Sequence, residues 1–187
     1  MWEQFITESP WLTQPIPNKF TADMLSLDIR KVESLNFLGN NSGFDTYEEI
    51  AEDGATELFF VKNHEIQAYY RYQQKSSGQI QTKMAWNNPK NKGSFIRLFG
   101  DYIIPRFKVV ESDDMLTQSA FDLWKRMIGG YTQYNYYAKL VNKLIQMTNP
   151  YDVHSYEEKF NPGKNSTFIV SVDPLIKKLE YCSVKNT

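Results

Sequence analysis

Alternation of apolar and polar residues is clearest in the middle of the chain, where it predicts three consecutive strands. Residues 65–73 alternate with a period of two, and residues 79–86 repeat the pattern, as strands with one buried face do. The preceding segment, residues 57–62, is rich in apolar and aromatic side chains. Short turns join the three segments, so we predict an antiparallel meander.

The period changes after the polar turn at residues 87–92. From Ser94 onward, apolar residues fall on one face of a helix, with Ser94 as its predicted N-cap. Pro105 is predicted to end this helix, and residues 107–111 predict a short strand. A strand, a crossover helix and a strand together imply a parallel, right-handed pairing.

A second amphipathic helix is predicted over residues 117–128, where apolar residues share one face. Gly129 and Gly130 are predicted to stop it.

The C-terminal region is less regular. Residues 131–144 are predicted to contain a strand, with a helix as the competing interpretation for residues 138–147. Residues 151–165 are predicted to form a polar loop. The β-branched run at residues 166–172 predicts a strand, and residues 174–181 suit a short terminal helix.

Prolines dominate the start of the chain. Pro10, Pro15 and Pro17 break regular structure, so we predict an irregular N-terminal arm over residues 1–28 that packs on the domain formed by residues 29–187. Within the arm, a short helix is the alternative for residues 20–27.

Two further segments precede the meander. Residues 29–38 are predicted to contain the first strand. Residues 45–53 are predicted to form a short helix with carboxylates on its outer side. The whole pattern predicts an α+β fold, a single domain with a mixed, mostly antiparallel sheet and a central strand–helix–strand crossover.

Composition narrows the classes of function. The chain has 187 residues and a net charge of about −1, which suits one domain and argues against a nucleic-acid partner. Cys182 is the only cysteine, and neither His64 nor His154 has metal-like spacing, so we predict no metal site. No signal peptide or membrane span is evident, and we predict a reducing, cytoplasmic location without membrane association.

Positive charge is concentrated around the turn and the first helix start. Six bases lie there against one acid, Asp101; they are Lys83, Lys90, Lys92, Arg97, Arg106 and Lys108. Because a helix start offers unpaired N–H groups and a positive dipole end, an anion site is a candidate here.

The order of elements and the window Lys90–Phe95 together resemble the GNAT superfamily of N-acetyltransferases over roughly residues 29–172. In that family, the turn between strand and central helix matches Arg/Gln-x-x-Gly-x-Gly/Ala. Here Lys90 stands for the Arg or Gln, Gly93 matches, and Phe95 stands for the last small residue. The resemblance implies a GNAT-like fold and a bound acetyl-CoA or other acyl-CoA, its pyrophosphate held by Lys90, Lys92, Gly93 and Ser94.

The second helix carries a further part of the resemblance. Its sequence from Ala120 is similar to the family pattern Ala-x-x-Phe-Tyr, with Trp124 at the position of the tyrosine that protonates the leaving thiolate. Tyr131 is the candidate substitute acid.

Candidate bases lie at the carboxyl end of the strand before the second helix, where open sheets place ligands. Glu111 and Asp113 are the candidates, although Asp113 or Asp114 equally suits a helix cap. The Ser112–Asp113 step before a tryptophan-containing helix also resembles small acetyltransferase-like proteins of bacteriophages.

Three functions remain open. The resemblance implies an acyl-CoA-dependent N-acyltransferase in which an amine acceptor attacks a thioester directly. The alternative is a catalytically inactive protein of the same fold that binds a macromolecular partner, such as a phage protein acting on a host or virion component. Nucleic-acid binding through the basic run ranks last. The sequence leaves the oligomeric state open.

Overall fold

A nine-stranded mixed sheet organises the part of the chain that the structure describes. The structure is a computed structural model and describes residues 16–91, 93–113, 118–140, 143–148 and 167–175.

The strands follow one another along the sheet in the order β1-β2-β3-β4-β5-β6-β9-β7-β8. They are β1 (Asn36–Asn41), β2 (Phe44–Ile50), β3 (Thr56–Lys62), β4 (Glu65–Gln74), β5 (Ile80–Asn87), β6 (Val109–Glu111), β7 (Asn135–Leu140), β8 (Lys143–Met147) and β9 (Thr167–Ser171). The helices are α1 (Ile16–Ser26), α2 (Ile29–Glu33), α3 (Ser94–Leu98), a π-helical turn (Phe99–Ile103), α4 (Ile104–Phe107) and α5 (Gln118–Gly130).

The predicted meander is confirmed. Strands β3, β4 and β5 pair antiparallel in sequence, and β5 then pairs parallel with β6 across the helical crossover. The α+β class and the mixed, mostly antiparallel sheet are therefore as expected, since every other pair in the described sheet is antiparallel.

The helix predicted over residues 45–53 is wrong, because this segment forms β2 between β1 and β3. Phe44 and Thr46 are buried while Asp45 between them is exposed, which is the period of a strand. Some of the carboxylates that suggested a solvated helix face instead meet bases, as Glu48 does with Arg106 at 3.7 Å.

The N-terminal segment predicted as irregular contains the helix α1. Its Pro17 is the second helical residue, where a missing N–H costs no hydrogen bond. Met24 is buried and Thr21 Oγ1 accepts a hydrogen bond from Trp86 Nε1 at 3.1 Å, so α1 packs on the sheet. Residues 1–15 lie outside the described residues. The strand expected within residues 29–38 begins only at Asn36, after α2.

The crossover helix, residues 94–107, differs from its prediction at both ends. Its N-cap is Gly93, and Ser94 is the first helical residue. Pro105 does not end the helix. The π-helical turn before it shifts the hydrogen bonds to the i→i−5 pattern, in which the absent N–H of Pro105 would face the carbonyl of Gly100. Tyr134 fills that place, because its hydroxyl donates to Gly100 O at 2.7 Å.

After the crossover, α5 includes Gly129 and Gly130, which were predicted to stop it, and ends before Tyr131. Strands β7 and β8 form an antiparallel hairpin, so the helical interpretation of residues 138–147 is wrong. The strand predicted near residue 166 is confirmed as β9, which lies between β6 and β7. The loop and terminal helix predicted at residues 151–165 and 174–181 fall largely outside the described residues.

Apolar cores lie on both faces of the sheet. The larger core joins the crossover helix and α5 to side chains such as Tyr70 and Phe168. The smaller core joins α1 and α2 to side chains such as Phe59 and Tyr69. Alternate residues of β3 and β4 therefore pack into different cores, one on each face of the sheet.

Candidate functional site

The parallel pair at the centre of the sheet is short. Ile80 pairs with Val110 and Gln81 pairs with Glu111, and β6 then ends while β5 continues to Asn87. Residues 82–87 of β5 thus extend past the carboxyl end of β6, which is the end where open sheets bind ligands.

Side chains cross between the two strands just beyond their last backbone pair. Gln81 Nε2 lies 3.5 Å from Ser112 O, and Lys83 Nζ lies 3.5 Å from Asp113 Oδ1. Asp113, a predicted catalytic base, is therefore paired with a lysine from β5. Its side chain is 28% exposed, so the carboxylate is accessible to solvent.

The predicted phosphate-binding turn follows β5. Gly93 has φ of +95°, a conformation that glycine adopts without strain, and a Cβ there would meet nothing within 4 Å. The glycine is thus needed for its backbone angle. Lys90 is exposed and reaches Glu65 Oε1 at 3.4 Å, whereas Lys92 lies outside the described residues.

The start of the crossover helix is capped by residues that the sequence analysis did not predict for this role. The N–H of Phe95 donates to Asn87 Oδ1 at 3.1 Å, and the N–H of Ser94 donates to Asn91 O at 3.3 Å. Two amides of the turn that would face an anion are therefore already paired within the protein.

Hydrogen bonds from asparagine side chains also stabilise this turn. Asn88 is buried, donates to Ile66 O at 3.1 Å, and accepts from the N–H of Lys90 at 3.0 Å. Asn91 Nδ2 donates to Gln67 Oε1. The sequence interpretation treated these asparagines only as turn formers and missed this role. The sequence did contain a signal for this role, because three asparagines within five residues are typical of a turn in which side chains form hydrogen bonds with the backbone.

The side chain of Phe95 leaves the turn. It is buried in the larger core, 5.9 Å from the ring of Tyr70 and 5.7 Å from that of Phe99 between centroids. Its bulk at the small-residue position of the motif therefore does not cover the turn.

Glu111, the other predicted base, is buried beneath a set of donors. Lys75 Nζ and Lys139 Nζ lie 2.6 and 3.0 Å from its oxygens, and Thr167 and Gln79 donate at 2.7 and 3.0 Å. Burial opposes ionisation, but the hydrogen bonds from Lys75, Thr167 and Lys139 outweigh it and lower the pKa of Glu111. A carboxylate with four donors and a lowered pKa is a weak base, so this arrangement suits a structural anion that joins the β4–β5 turn, β6, β7 and β9.

The candidate acids lie elsewhere. Trp124 is buried, with its ring 5.8 Å from that of Phe99, and it fills the core. Tyr131 follows the carboxyl end of the 13-residue helix α5 and lies beside Gly100 of the crossover helix. Burial and the neighbouring Asp101 raise the pKa of Tyr131, which makes it a weaker proton donor. The structure thus brings Asp113 close to Lys83 but places Tyr131 at the far end of α5.

Several members of the basic run are paired with carboxylates. Lys83 meets Asp113, Lys90 meets Glu65 and Arg106 meets Glu48. This pairing reduces the positive charge available to a nucleic acid.

Within the ranges that the structure covers, every helix is too short or too polar to cross a lipid bilayer. Among the same residues, no three histidine, cysteine, aspartate or glutamate side chains converge as metal ligands would. No family model, curated protein or solved structure matches the chain.

Proposed function

We propose that the chain is a divergent, GNAT-like protein that binds an acyl-CoA and transfers the acyl group to an amine in the cytoplasm. The observation that supports this proposal most directly is the short parallel pair of β5 and β6. Its two backbone pairs are followed by a turn with a left-handed glycine and by the crossover helix, which is the order that the family resemblance implies.

In this proposal the pyrophosphate binds at Lys90, Lys92, Gly93 and Ser94, and the acyl arm lies along residues 82–87 of β5. The amine attacks the thioester carbonyl carbon, forming a C–N bond as the C–S bond breaks, and the thiolate leaves. Asp113 is the preferred base because it is partly exposed, whereas Glu111 is buried and paired. Tyr131 is the weaker candidate for the acid that protonates the thiolate.

The second candidate function is a non-catalytic protein of the same fold that binds a macromolecule. The hydrogen bond from the Phe95 N–H to Asn87 favours it, because this cap occupies a donor that the cofactor needs. The core position of Trp124 agrees with it as well.

Thermal unfolding with acetyl-CoA separates the two functions. A ligand present at 100 times its Kd stabilises the folded state by about 2.7 kcal/mol, so acyl-CoA binding gives a clear rise in Tm. Absence of any rise at millimolar acetyl-CoA rules out the first function, and recovery of a stoichiometric partner from the native host then supports the second.

A matched pair of glycine variants tests the location. Gly93→Val and Gly78→Val both place a branched residue at positive φ, with nothing within 4 Å of the added Cβ. We expect both to lower the stability similarly, whereas only Gly93→Val abolishes the acetyl-CoA shift. Equal retention of the shift in both variants shows that the phosphate turn is assigned wrongly.

A further inference from the structure

A cavity of about 470 Å³ lies on the sheet face opposite the crossover helix, between α1, α2 and strands β2 to β5. Its apolar lining includes Phe20 and Met24 from α1 with Phe59, Tyr69 and Met84 from the strands. The volume is in the range of small-molecule sites, and the phosphate turn does not line it. An apolar body of small-molecule size therefore fits here.

A row of charged side chains crosses the strands at one side of this cavity. Glu49 stands opposite Glu57 in the register of β2 and β3, and Glu57 stands opposite Arg71 in that of β3 and β4. Arg71 is bound on two sides, by Asp53 at 2.5 Å and by Glu57 at 3.2 Å. Its positive charge is therefore already compensated by the protein.

The remaining charges that line the cavity are of opposite sign. Lys31 comes from α2 and Glu49 from β2, and among the described residues neither takes part in an ion pair, with the other or with a third group. Both residues are exposed, and their charged groups are more than ion-pair distance apart. A ligand that carries one charge of each sign would satisfy both.

We propose that this cavity binds a small apolar zwitterion of dipeptide size, with its ammonium group at Glu49, its carboxylate at Lys31 and its side chains on Phe20, Met24 and Met84. Charge complementarity selects this occupant, because a ligand with a single charge would leave either Lys31 or Glu49 unpaired. The site is separate from the proposed acyl-CoA turn and does not depend on it.

Three peptides with the same apolar side chains test the proposal by isothermal titration calorimetry. They are leucyl-phenylalanine, its C-terminal amide and its N-acetyl derivative, which are a zwitterion, a cation and an anion. Because each exposed ion pair contributes up to about 1 kcal/mol, the free dipeptide should bind as much as about five-fold more tightly than either blocked form.

Variants assign each charge to its residue. Lys31→Met should remove only the preference for the free dipeptide over its amide. Glu49→Gln should remove only the preference for the free dipeptide over its N-acetyl derivative. Glu52→Gln is the control, since Glu52 is exposed in the next turn and does not line the cavity. Met84→Trp should fill the cavity and abolish binding of all three, with urea unfolding to show that the variant still folds.

Four outcomes overturn the proposal. Two are equal affinity for the three peptides and no binding of any at millimolar concentration. The third is self-association of the full chain that Met84→Trp abolishes while no peptide binds, which shows that a second copy occupies the cavity. The fourth is peptide binding only to a Trp2→Ala/Trp11→Ala variant, which shows that the occupant is the chain's own N-terminal segment.

Discussion

The ring of Tyr131 lies directly against the backbone of Gly100, so that a Cβ at position 100 would overlap the ring unless the ring shifted. Gly100 is in the π-helical turn of the crossover helix, and Tyr131 follows α5. Tyr134 stacks on Tyr131 with 6.3 Å between ring centroids and donates to the carbonyl of Gly100. Two tyrosines thus fix α5 to the irregular turn of the crossover helix.

This contact predicts that Gly100→Ala destabilises the protein. The added methyl group would lie well inside van der Waals contact of the Tyr131 ring, and such overpacking costs about 1–3 kcal/mol. Urea unfolding measures the loss. Gly130→Ala is the control, because a Cβ there meets nothing within 4 Å and alanine is the better helix former.

A double variant tests whether the clash is the cause. If the Tyr131 ring is the obstacle, Gly100→Ala costs less in a Tyr131→Ala background than in the wild type. The same cost in both backgrounds contradicts this explanation.

The pairing of Glu111 with two lysines predicts a second effect on stability. Glu111→Gln leaves Lys75 and Lys139 near each other without a counter-charge. Because both lysines are partly exposed, we expect a loss of about 2 kcal/mol, below the 3–5 kcal/mol typical of a broken buried pair. Lys90→Met is the control, since its exposed contact with Glu65 is worth less than about 1 kcal/mol. Equal effects of the two changes in urea unfolding contradict a structural role for Glu111.

Stability should also depend on pH through the same carboxyl. The pKa of Glu111 in the folded state is below its ordinary value of 4.5, so in acid the unfolded chain binds more protons. The stabilisation is therefore complete above the ordinary glutamate pKa and is lost as the pH falls through the lowered value. We expect the difference in unfolding free energy between wild type and Glu111→Gln to shrink on acidification below pH 4.5. A difference that stays constant over this range counts against the ion-pair explanation.

The predicted and observed folds agree where one physical signal dominates. The period-two alternation of residues 65–73 and the apolar run near residue 57 correspond to β4 and β3. The expectation of a single buried face for β4 was wrong, because Ile66 to Tyr70 are all buried and the strand packs into a core on each face. The helix predicted for the acidic segment at residues 45–53 was wrong, since two of its carboxylates pair with bases distant in sequence, Asp53 with Arg71 and Glu48 with Arg106. The prediction that Pro105 ends the helix was wrong for a similar reason, because the hydroxyl of Tyr134 satisfies the carbonyl that a proline leaves free.

The candidate site was less predictable than the fold. Position along the sequence indicated that Glu111 lies at the end of a strand, which is correct, but gave no sign of the lysines on β7 and before β5 that surround it. The place of Gly93 in the turn before the helix followed from the sequence, and the structure gives it a left-handed angle there. The cap by Asn87 did not, because it joins residues eight positions apart and has no helical periodicity to reveal it.

That cap leads to a prediction that links stability to ligand binding. Asn87→Ala removes the acceptor for the Phe95 N–H and the donor to Asn91 O at 2.8 Å, and loss of such a cap costs about 1 kcal/mol. Asn87→Asp keeps the acceptor and adds a negative charge near the helix N-terminus, which is favourable by about 0.3–1 kcal/mol. The aspartate variant should therefore unfold at higher urea than the alanine variant, while Asn40→Ala in the exposed β1–β2 hairpin should change little.

If the turn also binds the pyrophosphate of acetyl-CoA, the two variants should have the opposite order in the ligand-induced Tm rise. Asn87→Ala frees an amide and keeps the Tm rise, whereas Asn87→Asp repels the anion and lowers the Tm rise. Equal Tm rises in the two variants, together with the expected order in urea, would confine Asn87 to a structural role and place any acyl-CoA away from this turn.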